Sequence, residues 1–453
     1  MRQIPSVVKH VVHQDLCTGC GICTSFCNEK VIKMDWNSQG FLIPVQSGTC
    51  SQDNNCISVC PFNPFPEEKL KTETEISSLF LDTVSASNHK KLGNYFNTYA
   101  GYSIEHRMKS SSGGIATYVS KILLEKKIVK YIINVVESKE QNHHFSYTIG
   151  GSIEEVSKSA KTRYYPVTLE NVFEKITSLD GDVAIVGIPC FIKAIRLAQI
   201  KNPDLRDKIK FTIGIICGGI KSKFFTEYLT QKAGVSSNKL SSIDYRIKDI
   251  SSHAGDYSFG VKTTNSNDLH DIKMRTVGDM WGTGLFKANA CDFCDDVSAE
   301  LADISLGDAW IRPFVNDGQG TNVIITRTSL ADQILQDGLK NDELHIEPIQ
   351  KEEFIKSQKG SYTHRQDCLS YRIKLSDLKY LPPKRVKSKV LPPDVKIIQK
   401  LRRQTRLNSL TTWANTHDAE KFDAMMKPSL RKLRLITKFN HYKRGVVDKL
   451  KKL

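Results

Sequence analysis

The sequence predicts an α/β protein, a mostly parallel sheet with helices packed on it, preceded by a small cysteine-rich α+β module and followed by a helical basic extension. Three observations carry this prediction. Seven of the 12 cysteines fall within the first 60 residues, in two compact runs. Between about residues 99 and 345, short β-branched runs alternate with stretches of helical periodicity. From residue 381 onward, two Leu-Pro-Pro breaks lead into a segment crowded with lysine and arginine.

The first element, residues 1–68, holds the cysteine runs. They read Cys17-x2-Cys20-x2-Cys23-x3-Cys27, then Cys50-x2-Asp53-x2-Cys56-x3-Cys60-Pro61. Thiolates at these intervals wrap a cuboidal iron–sulfur cluster on one tight loop. The doubled run has the ligand spacing of a two-cluster bacterial ferredoxin, in which the last cysteine of each run serves the other run's cluster. Cluster one then takes Cys17, Cys20, Cys23 and Cys60. Cluster two takes Cys50, Cys56 and Cys27, with Asp53 in the fourth corner. Zinc favours paired C-x2-C knuckles across a longer loop, a different pattern. A carboxylate is a harder and weaker donor to iron than a thiolate, so cluster two is either 4Fe-4S with an Asp ligand or 3Fe-4S. Asn28 stands where a proline usually follows the first run. Met34 to Pro44 has the pattern of a short hairpin between the runs, and residues 69–98 that of a polar linker with one helix.

The α/β region begins near residue 99. Ile115, Val119, Ile122 and Leu123 are spaced for a helix over Ile115 to Ile128. Tyr131 to Val136, Val183 to Val186 and Phe211 to Ile216 are short buried strands, the last two each followed by a helical stretch. Cys190 and Cys217 stand just after the second and third of these strands. The carboxyl ends of strands in an open α/β sheet are where ligands sit, and Cys291-x2-Cys294 supplies a knuckle that would complete a set of four. Spacing alone leaves two readings open, ordinary buried cysteines or a third metal site. Cys368 stands apart. Arg107-Met108-Lys109-Ser110-Ser111-Ser112-Gly113-Gly114 precedes the first helix, where free backbone N–H groups and the helix dipole favour a phosphate; a plain serine cap has the same look. No G-x-G-x-x-G occurs, so a Rossmann nicotinamide site is unsupported.

Charge is unevenly placed. Residues 381–453 hold 20 Lys and Arg against 5 Asp and Glu, +15 of the net +16. The basic character therefore belongs to the extension and says little about a substrate. Leu430, Leu433, Ile436 and Phe439 recur every three residues among Arg431, Lys432, Arg434 and Lys438. This pattern fits a helix packing on the body with a solvated basic face, or a surface that meets an anionic membrane or an acidic protein. Residues 1–16 lack the apolar core of a signal peptide, and no run of about 18 apolar residues occurs. A cytoplasmic protein, peripheral at a membrane at most, is expected, and in that reducing compartment clustered cysteines mean metal rather than disulfides. Nothing points to nucleic acid.

Five segments together resemble the beta subunits of coenzyme F420-reducing hydrogenases and dehydrogenases, to which plant 7-hydroxymethyl chlorophyll a reductase is similar. They are Arg107 to Gly114, Val186 to Cys190, Ile216 to Gly219, Asp244 to Lys248 and Cys291 to Asp308. With the ferredoxin-type module in front, the resemblance covers about residues 10–345. It implies an iron–sulfur domain over 1–68, a linker over 69–98, a flavin and 4Fe-4S domain over 99–345 split near 176, and an extension over 346–453. It further implies FAD, with Ser111, Ser112, Gly113, Gly114, Gly187 and Pro189 near it, and a third 4Fe-4S cluster on Cys190, Cys217, Cys291 and Cys294. Ile216-Cys217-Gly218-Gly219 lacks the histidine common in bacterial relatives, so no catalytic role is given to it. His106 and Tyr164 lie in or near matched segments and are the candidates for a general acid, with a structural hydrogen bond as the role more expected of each. The implied activity is an oxidoreductase moving electrons between a ferredoxin or deazaflavin donor and an organic substrate. The rival is an electron relay component that docks to a larger redox partner.

Overall fold

The structure, a computed structural model, describes residues 3–51, 53–81, 86–140, 143–236, 240–386 and 388–450, with side chains to 446. The cysteine module is built on a hairpin, β1 (Ile32–Trp36) against β2 (Leu42–Gln46). Short helical turns at Ile22–Ser25 and Asn55–Ser58 carry one cysteine each. The hairpin falls where the sequence pattern predicts it. The module is clamped to the rest of the chain: Leu169 N–H donates to the Cys20 carbonyl at 2.9 Å, and Met34 N–H to Glu170 Oε1 at 2.9 Å. Gly21 sits at φ 80°, and a Cβ there would meet Thr168 Oγ1 at 1.9 Å. Only glycine allows the cysteine loop to approach this closely.

The segment expected as a polar linker is more ordered than that. It carries a helix at Glu73–Ser77, closed by a capping box between Thr72 and Glu75, and a hairpin of β3 (Ser87–His89) and β4 (Gly93–Tyr95). Buried Glu73 pairs with Lys193 at 3.0 Å. That pair ties the segment to the helix Pro189–Lys201, so the connection packs on the body as an integral layer.

The central sheet draws on β5 (Thr98–Ser103), β6 (Tyr131–Glu137), β7 (Phe145–Gly150), β8 (Val183–Gly187) and β9 (Ile209–Ile215). A separate three-stranded antiparallel sheet, β10 (Leu240–Ile247), β11 (Ser258–Thr263) and β12 (Ser266–Lys273), follows in the chain. Then β13 (Ile304–Asp308), β14 (Asn322–Thr326) and β15 (Leu344–Pro348) return to the first sheet, whose order is β15-β5-β14-β13-β9-β8-β6-β7. Its centre, β13-β9-β8-β6, is parallel throughout. Antiparallel pairings flank it on both sides, with β7 at one edge and β14, β5 and β15 at the other. Five of the eight strands thus share one direction.

Side chains sort by the two-residue period of a strand. Ile132, Ala184 and Ile213 face the helices Ile115–Glu125 and Ser329–Lys340. Ile133 and Ile185 face the helix Pro189–Lys201 and, beyond it, the cysteine module. The extension carries helical segments from Lys351 to Lys374, is irregular over 376–386 and 388–392, and ends in two long helices at Pro393–Thr416 and Ala419–Leu450. Leu410, Trp413, Phe422 and Met426 bury into an aromatic core with Phe225, Tyr228 and Phe286. Among the described residues no helix is long and apolar enough to cross a membrane.

Candidate cofactor site

Eleven of the 12 cysteines fall into three groups. Burial raises the Cys23 thiol well above its ordinary value, and the neighbouring Cys20, Cys17 and Cys60 raise it further. Burial likewise raises Cys60, and the nearby Cys20, Cys17 and Cys56 raise it further. The sulfurs around Cys56 are Cys27 and Cys50. The fold thus places Cys17, Cys20, Cys23 and Cys60 near one another and Cys27 and Cys50 near Cys56, which also lies near Cys23 and Cys60. Asp53 is placed differently from the cysteines. It is exposed, and its two oxygens accept from Asn55 N–H and Nδ2, both at 3.0 Å.

The third group is Cys190, Cys217, Cys291 and Cys294. Burial raises the Cys190 thiol, and its sulfur neighbours in turn are Cys217, Cys294, Cys291 and then Cys20 of the module. Cys190 sits on the first turn of the helix after β8, and Cys217 two residues past β9. Cys291 lies on the turn Asn289–Phe293 and Cys294 just after it. The four line one small pocket with Thr18, Phe62 and Arg365. Pro189, expected beside a flavin, also lines this pocket.

The donor set suits iron–sulfur clusters. Backbone N–H groups point at sulfur throughout: Gly19 at Cys17 (3.4 Å), Val31 at Cys27 (3.4 Å), Gly219 at Cys217 (3.3 Å) and Ile220 at Cys291 (3.2 Å). Such donors stabilise thiolate and tune cluster potential. Burial pushes the Cys17 and Cys294 thiols up to about 12, so a bound cation is needed to hold them as thiolates. Among the described residues, no three His, Cys, Asp or Glu side chains close tightly enough to share a single metal ion.

A cavity of about 780 Å³ opens beside the third group. Its wall includes Ser110, Ser111, Ser112 and Gly114 from the loop before the helix Ile115–Glu125, and Gly187 at the end of β8. Gly113 lies behind them, packed on the Gly101 carbonyl and Asn322. Lys248 ties the loop down, donating to the carbonyls of Arg107 at 2.5 Å and Ser112 at 2.7 Å. All five matched segments meet on this wall, with Val186, Cys217, Arg246 and Asp308 standing for the other four, and Arg246 pairs with Asp308 at 2.7 Å. Ser110 Oγ, Arg163 Nε and Arg246 Nε are buried on this wall without a partner among the described residues. Buried polar atoms are normally met by protein, water or a ligand, so these three are donors that a bound group could meet. His106 is buried away from the cavity near Glu105 (3.6 Å), whereas Tyr164 lines it, edge-on to Trp281 at 4.8 Å.

Sequence reasoning missed two groups. Lys221 lines the cavity with its Nζ donating to the Met280 (2.7 Å) and Leu285 (2.5 Å) carbonyls, and burial lowers it to about 7. Its one signal is its place four residues after Cys217. Arg365 donates to Cys294 Sγ at 3.5 Å and to the Asp296 carbonyl at 2.7 Å, from a π turn at Thr363–Asp367. Its neighbours complete a pattern. Lys384 meets Asp295 at 3.3 Å, Arg385 pairs with Glu300, and Arg406 meets Asp292 at 3.1 Å. Burial would raise the Asp292 carboxyl, but Lys287, His364, Arg406 and Arg372 hold it well below its usual range. The basic extension thus neutralises the acidic spacer around Cys291 and Cys294.

Comparison with known proteins agrees with this geometry. Residues 98–174 and 180–352 match the N-terminal and C-terminal parts of the coenzyme F420 hydrogenase/dehydrogenase beta subunit, and residues 16–63 match a 4Fe-4S dicluster domain. A component of the F420H2 dehydrogenase of Methanosarcina mazei is 21% identical, over 76% of this chain and 87% of its own. The beta subunit of the coenzyme F420 hydrogenase of Methanothermobacter thermautotrophicus is 24% identical, over 57% of this chain and 87% of its own. A coenzyme F420-dependent sulfite reductase of Methanocaldococcus jannaschii is 23% identical, and the chain spans only 49% of its length. A chain of the F420-reducing [NiFe] hydrogenase complex from Methanosarcina barkeri shares the fold, with a TM-score of 0.50 at 21% identity, over 66% of this chain and 99% of its own. Residues 353–453 lie outside all three matched regions.

Proposed function

The chain belongs to the family of coenzyme F420 hydrogenase/dehydrogenase beta subunits, and on that premise we propose that it is an iron–sulfur flavoprotein oxidoreductase. It passes electrons between a ferredoxin or deazaflavin donor and an organic substrate through its clusters and an FAD. The supporting observation is a shared wall: Thr18 and Cys217 border both the four-cysteine pocket and the large cavity. FAD, when bound, takes up electrons in pairs and releases them singly, which matches the one-electron capacity of iron–sulfur clusters.

The chain's own residues divide the work. Cys17, Cys20, Cys23 and Cys60 hold one cluster, Cys27, Cys50 and Cys56 a second, and Cys190, Cys217, Cys291 and Cys294 a third. Ser111, Ser112 and Gly114 offer N–H groups at a helix start for a phosphate. Ser110, Arg163 and Arg246 supply the unpaired donors, while Tyr164 and Trp281 exclude water from one wall. Lys221 holds a proton that burial makes easy to release near neutral pH. Lys221→Met should cut flavin-dependent turnover by about a hundredfold or more and remove the inflection near pH 7 from its rate–pH profile. An inflection that survives would assign the proton to another group.

The experiment that tests the reading is cofactor content of anaerobically purified protein. About 11 to 12 irons, matching sulfide and one FAD per chain are expected. About 8 irons without flavin would leave the relay reading, which also draws support from two of the relatives being described as subunits. In the same sample, Asp53, turned toward Asn55, is expected to leave cluster two with three irons. Asp53→Cys should then abolish an as-isolated three-iron EPR signal and add about one iron per chain. Identical spectra and iron content in the two proteins would refute that assignment.

A further inference from the structure

The helix Ala419–Leu450 has two unlike faces. Met426, Leu430, Leu433 and Asn440 are buried, and Asn440 Nδ2 donates to Asp394 at 2.7 Å, which pins this helix to Pro393–Thr416. On the opposite side Leu435, Phe439, Tyr442 and Val446 are 60%, 62%, 74% and 42% exposed. At about 100° per residue these four fall within an arc of about 60°. Arg431 and Lys438 flank the arc on one side, Lys432 and Lys443 on the other. Between 427 and 446 there are seven Lys and Arg and no Asp or Glu. Among the described residues, Arg431, Lys432 and Lys438 have no acidic side chain within ion-pair distance.

We propose that this outer face docks on a lipid surface bearing anionic headgroups, with the helix lying in the interface plane. An apolar stripe containing aromatic residues, bracketed on both sides by basic ones, is the pattern of such helices: the stripe enters the acyl boundary and the flanks meet phosphate. Protein–protein interface cores deplete lysine, whereas three of the four flanking residues here are lysines, on a strip without a single acid. Charge complementarity therefore favours a membrane over a protein partner.

The test is co-sedimentation of the full chain with phosphatidylcholine vesicles, with and without phosphatidylserine. Deleting the extension would be uninformative, because Leu410, Trp413 and Phe422 belong to the core; surface variants avoid this, and unchanged iron content checks their fold. Binding is expected only with phosphatidylserine and should weaken steeply with salt. Leu435→Ser with Phe439→Ser should weaken it about tenfold or more, and Lys432→Glu with Lys438→Glu by about as much. Absence of binding to the anionic vesicles would overturn the proposal. So would binding untouched by the Leu435 and Phe439 changes, which would reduce the face to a plain basic surface. Capture of an acidic protein by this face, with no vesicle binding, would replace it with a protein dock.

Discussion

Cys291→Ser is expected to remove one cluster and leave two. Iron should fall by about four per chain, one low-temperature EPR signal should vanish on reduction, and the signals of the ferredoxin-type module should persist. The reason lies in how the sulfurs are grouped. Cys291 belongs with Cys190, Cys217 and Cys294 around their own pocket, while Cys23 and Cys56 of the module are surrounded by other module cysteines. A serine oxygen is a harder and poorer donor to iron than a thiolate, so the site loses a corner rather than exchanging it. The loop itself should stay in place. Asp292, the next residue, is held by Lys287 at 2.5 Å and Arg406 at 3.1 Å regardless of metal. On the proposed reading, electron flow between the module and an FAD in the large cavity should then fall below detection, while reduction of each half by its own reagent continues. Loss of iron from all three sites together would mean that the module and the α/β body load as one unit.

The 4Fe-4S dicluster region over 16–63 is legible in the sequence because iron–sulfur ligation is a local, spacing-dependent signal: four thiolates must come from one short loop and one distant return. The hairpin between the runs is legible for a similar reason, since alternation and a Gly turn specify it over few residues. The central strands can be read from their β-branched runs, and Cys190 and Cys217 gain meaning from standing at strand ends. What cannot be read is long-range. The antiparallel flanks β14, β5 and β15 pair residues far apart in the chain, and no local pattern announces them. Arg365 and Arg406 are two among many basic residues in the extension, with nothing in their surroundings to mark them as partners of Cys294 and Asp292. Net charge conceals this: the extension has the composition of a solvated basic tail, while part of its charge is matched to buried Asp292, Asp295 and Glu300. The family match ends at residue 352, short of all these partners.

The extension's place in the site has a direct consequence at Trp413. Its ring is fully buried against Tyr228, Phe286 and Phe422, at centroid distances of 5.7, 6.0 and 5.7 Å, and its Nε1 donates to Glu227 at 2.8 Å. Trp413→Ala should cost about 3–5 kcal/mol of local stability, the usual range for emptying a buried aromatic site. Glu227 would also lose a donor. The helix Pro393–Thr416 carries Arg406 as well, so loosening it withdraws a buried countercharge from Asp292. Removing one partner from a buried charge network leaves the carboxylate beside Cys291 less fully compensated, with Lys287 and Arg372 still beside it. The third site should therefore bleach before the module on exposure to air, and proteolysis should release the extension under conditions that spare the wild type. Leu407→Ala, on an exposed position of the same helix, should change neither reading by more than about 0.5 kcal/mol in stability. If Trp413→Ala keeps wild-type proteolysis and all three clusters bleach together, the extension is an ornament on the site; if the third cluster fails first, the site is built from residues that lie beyond the family's own boundary.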